Sequence, residues 1–504
     1  MSKYLSPIII LLIIISGSLL RFYNLGSQPY WMDEGYTINA VLSVMEKGNT
    51  ILDSGQNYFC PMYCYPTAWI AHLFGPNATA YRLFAVIAGI LLIAAIYLII
   101  KKLFTRHVAL LASFFVAFSY WQIAWSRQAR WYSLLVLLFW LAIYLFYQFL
   151  ETEDNKKRIA YFLSAVGLSA LAVLTHRIAY LLAPIFLILL ALKAWKNKTK
   201  INTKIIWIAS LIIVSITFLL ELSLNFGISR SLIAKFGLYY ELPYYLSFFL
   251  ANYWLFIFLA LYAYFGAPKE QKLRYQLLIL PFVLYLLVFA FFTDIVHYRY
   301  LLAPALGLLL LGAIGAIDIF GKLWHKYRVV ALIFLVAVIA IFFVSGQGVW
   351  RPLPFYTLEN DNINTGKTDR PYYGYTPQPN FNSAYAAIAV NLKPYDIVIS
   401  SHPQFNKIFL HQPGYWLAYN YLGFENRVKI VDETDREYYV GAEVINDLEE
   451  LKQITSSTHG YIVFDQMSIT GRIPTETIDY ISKNFQQIYF NEINEYSRIW
   501  VYRF

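Results

Sequence analysis

The sequence predicts an α-helical polytopic membrane protein with a soluble α/β domain at its C-terminal end. Its 504 residues are 59% hydrophobic and only 14% charged, well below the ~25% charged residues of soluble domains. Mean hydropathy is +0.50. Long apolar runs follow one another through residue 346, after which the composition changes. Many of the 43 tyrosines cluster near the ends of those runs, as the aromatic belts of membrane interfaces do.

The runs cover roughly 4–20, 83–100, 108–126, 131–150, 159–174, 178–194, 205–224, 244–266, 275–293, 300–320 and 329–345. Each is near the ~17–25 residues that cross a bilayer as a helix, which gives about eleven transmembrane helices in a domain spanning 1–346. The first run has one lysine before it and no small-residue cleavage site behind it. It is therefore read as a retained span, not a removed signal peptide.

A formal net charge of +10 does not point to nucleic acid here, because the basic residues alternate between loops instead of forming one patch. Lys3, Lys101, Lys102, Lys156, Lys157, Lys193, Lys196, Lys198, Lys200, Lys204, Lys269, Lys272, Lys322 and Lys326 occupy alternate loops. Lysine excess marks cytoplasmic loops, so the expected location is the cell membrane, multi-pass, with a cytoplasmic N-terminus. The opposite loops hold Lys47 and Lys235 but mostly arginines: Arg21, Arg82, Arg127, Arg130, Arg177, Arg230 and Arg299. Arginine offers a planar fork suited to bidentate phosphate binding. The bland partner for such residues is a lipid headgroup or a nearby carboxylate; the sharper one is a phosphate held in a site.

The first outer loop, 22–82, opens with RFYNLGSQPYWMDEG (21–35) and carries adjacent carboxylates, Asp33 and Glu34. Charges beside a membrane helix are costly unless they act. In the plain reading Asp33 is an N-cap. It would then start an amphipathic helix with Ile38, Val41, Leu42 and Met45 on one face, lying on the membrane. In the functional reading Asp33 is a reactive carboxylate. The two cysteines, Cys60 and Cys64, make no disulfide framework and no zinc pattern; they either pair locally or remain thiols.

Further along, SYWQIAWSRQARWYSLL (119–135) places Arg127 and Arg130 three residues apart, on one face if helical, with Tyr132 following. Later edges carry Thr175-His176-Arg177 and Asp294 to Tyr300, including His297 and Arg299. Any one of these is more often a snorkelling or internally satisfied side chain than a ligand. Their recurrence on one side of the membrane argues for a shared site for an anion.

Residues 347–380, rich in Pro, Asn, Asp and Tyr, read as a linker or irregular loop. From 381 to 504 the pattern is that of a small α/β domain, with helices at 383–392, 446–454 and 475–484. Strands are expected at 396–400, 428–431 and 460–464, with an edge strand at 498–502. Counting spans from the N-terminus puts this domain outside the cell. It shows no Gly-rich phosphate loop, metal cluster or nucleophile–base pair, so a binding or lid role is expected.

These pieces, in this order, resemble the polyprenyl-phosphate-dependent glycosyltransferases of the GT-C type, near the protein O-mannosyltransferases and the lipid A aminoarabinose transferases. The resemblance covers roughly residues 15–320. It is carried by RFYNLGSQPYWMDEG, GPNATAYRLFAVIAG and SYWQIAWSRQARWYSLL, with weaker support from THRIAY and HYRYLLAPALG. It implies transfer of a sugar from a polyprenyl-phosphate donor to an acceptor hydroxyl at the outer membrane face, with inversion. The family's general base maps onto Asp33, and Glu34 beside it would modulate that carboxylate. Arg130 and Tyr132 match an Arg-x-Tyr, and Arg299 matches a late-span arginine. These are expected to bind the lipid phosphate, with Arg127, His297 and Tyr300 as weaker members. His176 is a candidate for phosphate or sugar contact, or for a structural hydrogen bond.

The chain departs from the family where many relatives carry a His-Pro-Pro-like segment; here Phe59-Cys60-Pro61-Met62-Tyr63 stands instead. Without that histidine no metal or other cofactor is expected, although two cysteines can act as soft ligands. The expected partners are the polyprenyl-phosphate sugar, the bilayer and an acceptor that is a protein, a glycolipid or a polysaccharide. The rival readings are a transferase moving an oligosaccharide or modified pentose, and a transporter or flippase for lipid-linked sugars. A transporter should place charges at the bilayer midplane; here they sit at helix ends.

Overall fold

The structure, a computed structural model, describes residues 5–196, 240–293, 297–345, 347–349, 379–417, 428–431, 434–471, 473–492 and 497–504. The expected span at 205–224 and most of the linker at 347–380 lie outside them. Among the described residues eight helices are long and apolar enough to cross a membrane. Two shorter apolar helices, Arg106–Phe118 and Arg328–Val344, fall on the remaining predicted runs.

In chain order the first helices are α1 (Leu5–Phe22), α2 (Met32–Lys47), α3 (Pro61–Phe74), α4 (Ala78–Leu103), α5 (Arg106–Phe118) and α6 (Tyr120–Ser126). They are followed by α7 (Tyr132–Glu151), α8 (Asn155–Thr175), α9 (Leu182–Lys196), α10 (Leu242–Phe265), α11 (Lys272–Phe291), α12 (Leu302–Lys326) and α13 (Arg328–Val344). Local chemistry fixes several ends. Asn77 caps α4 by accepting from Ala80 N at 3.0 Å. Lys101 and Lys102 close the same helix at its negative end. The central helix is α12, buried along its first fifteen residues. Its glycines permit that packing: a Cβ on Gly307 or Gly315 would strike the Leu278 or Leu259 carbonyl of a neighbouring helix.

The apolar run 108–126, expected as one span, is two helices. Ser119 adopts an extended conformation between α5 and α6. There Tyr120 N donates to Gln347 O at 2.8 Å and Val349 N to Phe118 O at 2.9 Å. The short 347–349 segment thus satisfies the backbone groups that the break releases.

The C-terminal part forms an eight-stranded sheet, β1 (Ile397–Ser400), β2 (Tyr415–Leu417), β3 (Val428–Val431), β4 (Thr434–Glu437), β5 (Glu443–Ile445), β6 (Gly460–Asp465), β7 (Gln486–Asn491) and β8 (Ile499–Arg503). Its order is β3-β4-β5-β2-β1-β6-β8-β7, with β5, β2, β1 and β6 parallel and the flanks antiparallel. Strand β8, expected at an edge, lies between β6 and β7. Its alternation reads as half-buried, but Gln486–Asn491, too polar to announce itself as a strand, covers its outer side. The helices are α14 (Phe381–Ala389), α15 (Gln404–Leu410), α16 (Leu448–Ser457), α17 (Gln466–Gly471) and α18 (Thr475–Asn484).

Helix α2 does not lie on the bilayer. Ile38, Val41 and nearly every residue from Glu34 to Ser43 are buried. The helix packs between α3 and α15, where Asn39 Nδ2 donates to Gln404 O at 2.9 Å. Gly35 is required at this contact, since a Cβ would collide with the Gln404 side chain. The apolar face that suggested a membrane surface therefore serves a domain interface.

Candidate active site

The site is assembled at the N-terminus of α2. The helix is capped at Trp31, not at Asp33, and the carboxylate that completes the cap belongs to Glu34, which accepts from Trp31 N at 2.9 Å. Glu34 is fully buried and paired with Arg82 of α4, Nε to Oε1 at 2.8 Å and Nη2 to Oε2 at 3.0 Å. It also accepts from Ala129 N at 2.6 Å, while Arg82 donates to the carbonyls of Leu25, Gln28 and Pro29. Glu34 thus ties the 25–31 loop, α4 and the 127–131 turn together. The sequence expectation placed it in the reactive centre beside Asp33; the structure puts it behind that centre.

Asp33, one residue earlier, points the other way and keeps about a fifth of its side chain exposed. Its Oδ2 lies 3.5 Å from Arg130 Nη2 and 3.8 Å from Arg299 Nη2. Arg130 comes from the turn between α6 and α7. Arg299 comes from the 3-10 turn Tyr298–Leu301 that opens α12. Among the described residues two guanidiniums thus converge on one carboxylate oxygen. Mutual repulsion is offset by aromatic faces: Trp31 lies 5.7 Å from the Arg130 carbon and 5.2 Å from that of Arg299. Trp131 lies 4.0 Å under Arg130.

Arg130 is further fixed by donating from Nη1 to Tyr58 OH at 2.6 Å, to Thr37 Oγ1 at 2.8 Å and to the Asp33 carbonyl at 3.1 Å. Burial opposes its charge, but the Tyr58 phenol and the Asp33 carboxylate outweigh it, so the guanidinium is held above its ordinary value. Arg130 Nε and the indole N–H of Trp131 are buried with no hydrogen-bond partner among the described residues. Such donors are rare in native structures and suit an acceptor-rich ligand.

Arg127 does not join this group. Helix α6 ends at Ser126, so Arg127 and Arg130 are not on one helical face. Arg127 turns inward to the carbonyls of Leu20, Arg21 and Tyr23. Burial, then Arg82, lowers its pKa to about 10, and it acts as a brace.

Tyr132, His176 and Tyr300 form an aromatic wall beside Arg130 and Arg299. The His176 ring centre is 5.6 Å from those of Tyr132 and of Tyr300. Its Nδ1 accepts from Ile178 N at 3.2 Å, capping the turn Arg177–Leu181, which assigns the proton to Nε2. Burial, followed by Arg177, Arg130 and Arg299, holds its pKa well below the usual value, so it is neutral. His297 stacks edgewise on Tyr300 at 5.5 Å and donates its backbone N–H to Tyr245 OH at 3.3 Å.

The sequence reading missed Trp31, Thr37, Tyr58 and Trp131. Trp131 stands beside Arg130 in the chain, but adjacency alone does not tell a stacked aromatic from an interfacial one. Tyr58 carries no local signal, because its role depends on the loop that returns it to α2. Cys60 and Cys64 are joined in a disulfide across the first turn of α3. Among the described residues no three His, Cys, Asp or Glu side chains cluster as metal ligands.

Comparison with known proteins agrees with this architecture. Residues 59–220 match the family model described as dolichyl-phosphate-mannose-protein mannosyltransferase. The chain superposes on ArnT from Cupriavidus metallidurans bound to undecaprenyl phosphate, with a TM-score of 0.59 and 14% identity over 98% of this chain and 97% of that one. The Archaeoglobus fulgidus oligosaccharyltransferase AglB, in complex with an inhibitory peptide and a dolichol-phosphate, gives a TM-score of 0.55 and 13% identity over 99% of this chain and 74% of that one. An uncharacterized protein of Aquifex aeolicus is 27% identical over 200 residues, which cover 38% of this chain and 39% of that protein.

Proposed function

We infer from the fold shared with ArnT and AglB that this chain works as a GT-C membrane glycosyltransferase. We propose that the chain is an inverting glycosyltransferase that takes a sugar from a polyprenyl-phosphate donor and places it on an acceptor hydroxyl at the non-cytoplasmic membrane face. The observation that carries the proposal is the Asp33 carboxylate, about a fifth exposed, facing the Arg130 and Arg299 guanidiniums. A phosphate would bind both guanidiniums and accept from Arg130 Nε and the Trp131 indole, which have no hydrogen-bond partner among the described residues.

In the proposed reaction Arg130 and Arg299 bind the phosphate of the donor lipid, drawing away from Asp33 as they do so. The acceptor oxygen attacks the anomeric carbon while the bond from that carbon to the phosphate oxygen breaks. The electron pair leaves with the phosphate, whose growing charge the arginines stabilise. Asp33 takes the acceptor's proton as the new bond forms, so proton, sugar and charge are all accounted for. Neutral His176, with an Nε2–H to donate, is proposed to contact the donor, and Glu34 holds the helix end that carries Asp33. The membrane orientation is carried by the lysine asymmetry alone.

The test is sugar transfer from a panel of radiolabelled polyprenyl-phosphate sugars in nanodiscs, comparing the wild type with Asp33→Asn. Loss of about 100-fold or more in turnover with undecaprenyl phosphate binding retained is the expected result. Full activity in the variant would remove Asp33 from the chemistry. Absence of both binding and turnover in the wild type would favour a transporter.

A further inference from the structure

The C-terminal domain reaches this site through a chain of named contacts. The first long loop contains a small hairpin, 50–58, closed by Tyr58 N donating to Thr50 O at 3.0 Å and Leu52 N to Gln56 O at 2.8 Å. At its tip Ser54 Oγ donates to the Tyr439 carbonyl at 2.7 Å. At its base the Tyr58 hydroxyl receives the Arg130 hydrogen bond. Tyr439 lies in the turn between β4 and β5. Buried Glu437 fixes that turn by accepting from Tyr439 N at 2.9 Å and Val440 N at 2.6 Å. Gly441 (φ +73°) completes it, in a conformation that favours glycine, and brings the turn against Ser54. The Tyr439 ring is set between Tyr36 at 4.7 Å and Tyr58 at 5.9 Å, and Trp131 supports the Tyr58 ring from another side at 6.0 Å.

We propose that Tyr58 is a positioning residue for Arg130, and that Tyr439 of the C-terminal domain holds Tyr58 in place, so that the domain sets the geometry of the anion site. The proposal rests on the reading of Arg130 as a phosphate ligand. The phenol oxygen fixes one guanidinium nitrogen, leaving the fork to face Asp33 and Arg299. Tyr439 contributes its ring, which limits the rotation of Tyr58. Lys407 supports the same junction through ion pairs to Asp53 at 3.3 Å and Glu46 at 3.6 Å, one on the hairpin and one on α2.

The experiment measures undecaprenyl phosphate affinity, donor KM and kcat for the full chain in nanodiscs. It compares Tyr58→Phe, Tyr439→Ala, Tyr439→Phe and the double variant Tyr58→Phe/Tyr439→Ala. Removing a hydrogen bond to a charged group is expected to weaken phosphate binding about tenfold in Tyr58→Phe, with KM following Kd and kcat falling as well, because Arg130 also stabilises the departing phosphate. Tyr439→Ala should move in the same direction, Tyr439→Phe should restore wild-type affinity, and the double variant should be no weaker than Tyr58→Phe. Wild-type affinity in Tyr58→Phe, equal losses in both Tyr439 variants, or additive losses in the double variant would each overturn the proposal. If the wild type binds no undecaprenyl phosphate, the phosphate reading fails separately. A melting-temperature cycle between Tyr439→Ala and Arg130→Lys then decides the positioning without a donor: coupled shifts sustain it and additive shifts sink it.

Discussion

The guanidinium of Arg82 and the carboxylate of Glu34 form a two-pronged ion pair in which neither side chain retains any exposure to solvent. Breaking one partner of such a pair costs about 3–5 kcal/mol, because the other charge is left buried and unpaired. Glu34→Gln should therefore lower the melting temperature sharply, whereas Asp33→Asn, at the partly exposed neighbouring position, should melt close to the wild type. Differential scanning fluorimetry in detergent separates the two. A Glu34→Gln protein that is stable but inactive would return Glu34 to the reactive centre.

Arg130 and Arg127 are three residues apart yet are predicted to fail differently. Arg130→Lys keeps the charge but loses the planar fork and its stacking on Trp131, and should weaken undecaprenyl phosphate binding about tenfold. Arg127→Lys loses a brace on three backbone carbonyls and should reduce stability while leaving affinity unchanged. Equilibrium binding and thermal melts of the same two preparations test both statements. Matching profiles would contradict the division of roles.

His176 gives a pH signature with a definite sign. Its unfolded imidazole titrates near 6.5, while burial, followed by three nearby arginines, holds the folded one well below that. As pH falls below about 6.5 the unfolded state takes up a proton that the folded state does not, so stability declines; above that pH the contribution is flat. Melting temperatures read at about pH 7.5 and about pH 5.5 should diverge more for the wild type than for His176→Gln. Parallel declines would show that the acid sensitivity lies elsewhere.

Charge neutralisation of the phosphate is assigned to arginine side chains, so transfer should be insensitive to EDTA. Measuring turnover before and after chelation, then after adding back magnesium or manganese, checks this. A requirement for added metal would mean that Arg130 and Arg299 do not suffice.

Where sequence and structure part, the reasons are physical. The apolar runs were legible because a bilayer imposes a length and a composition that no soluble domain shares. The break in 108–126 was not, since Ser119 is an ordinary residue in an apolar segment and its extended conformation is stabilised by backbone hydrogen bonds to the returning 347–349 segment. In the C-terminal domain the fully buried strand Gly460–Asp465 announced itself by its hydrophobicity, while the polar Gln486–Asn491 did not. The interface face of α2 looked like a membrane surface because both demand the same apolar periodicity.

The sequence by itself determined that this chain is a membrane-embedded helical protein with a C-terminal α/β domain, and that Asp33, Arg130 and Arg299 were residues to watch. Hydropathy and the order of the motifs are one-dimensional properties, and they suffice for that. Which of two adjacent carboxylates faces Arg130 and Arg299, and which of two neighbouring arginines does so, was decided only by the tertiary structure. At the start of α2 a step of one residue turns a side chain by about 100°. That turn sends Glu34 into the dry pairing with Arg82 and leaves Asp33 facing the two arginines.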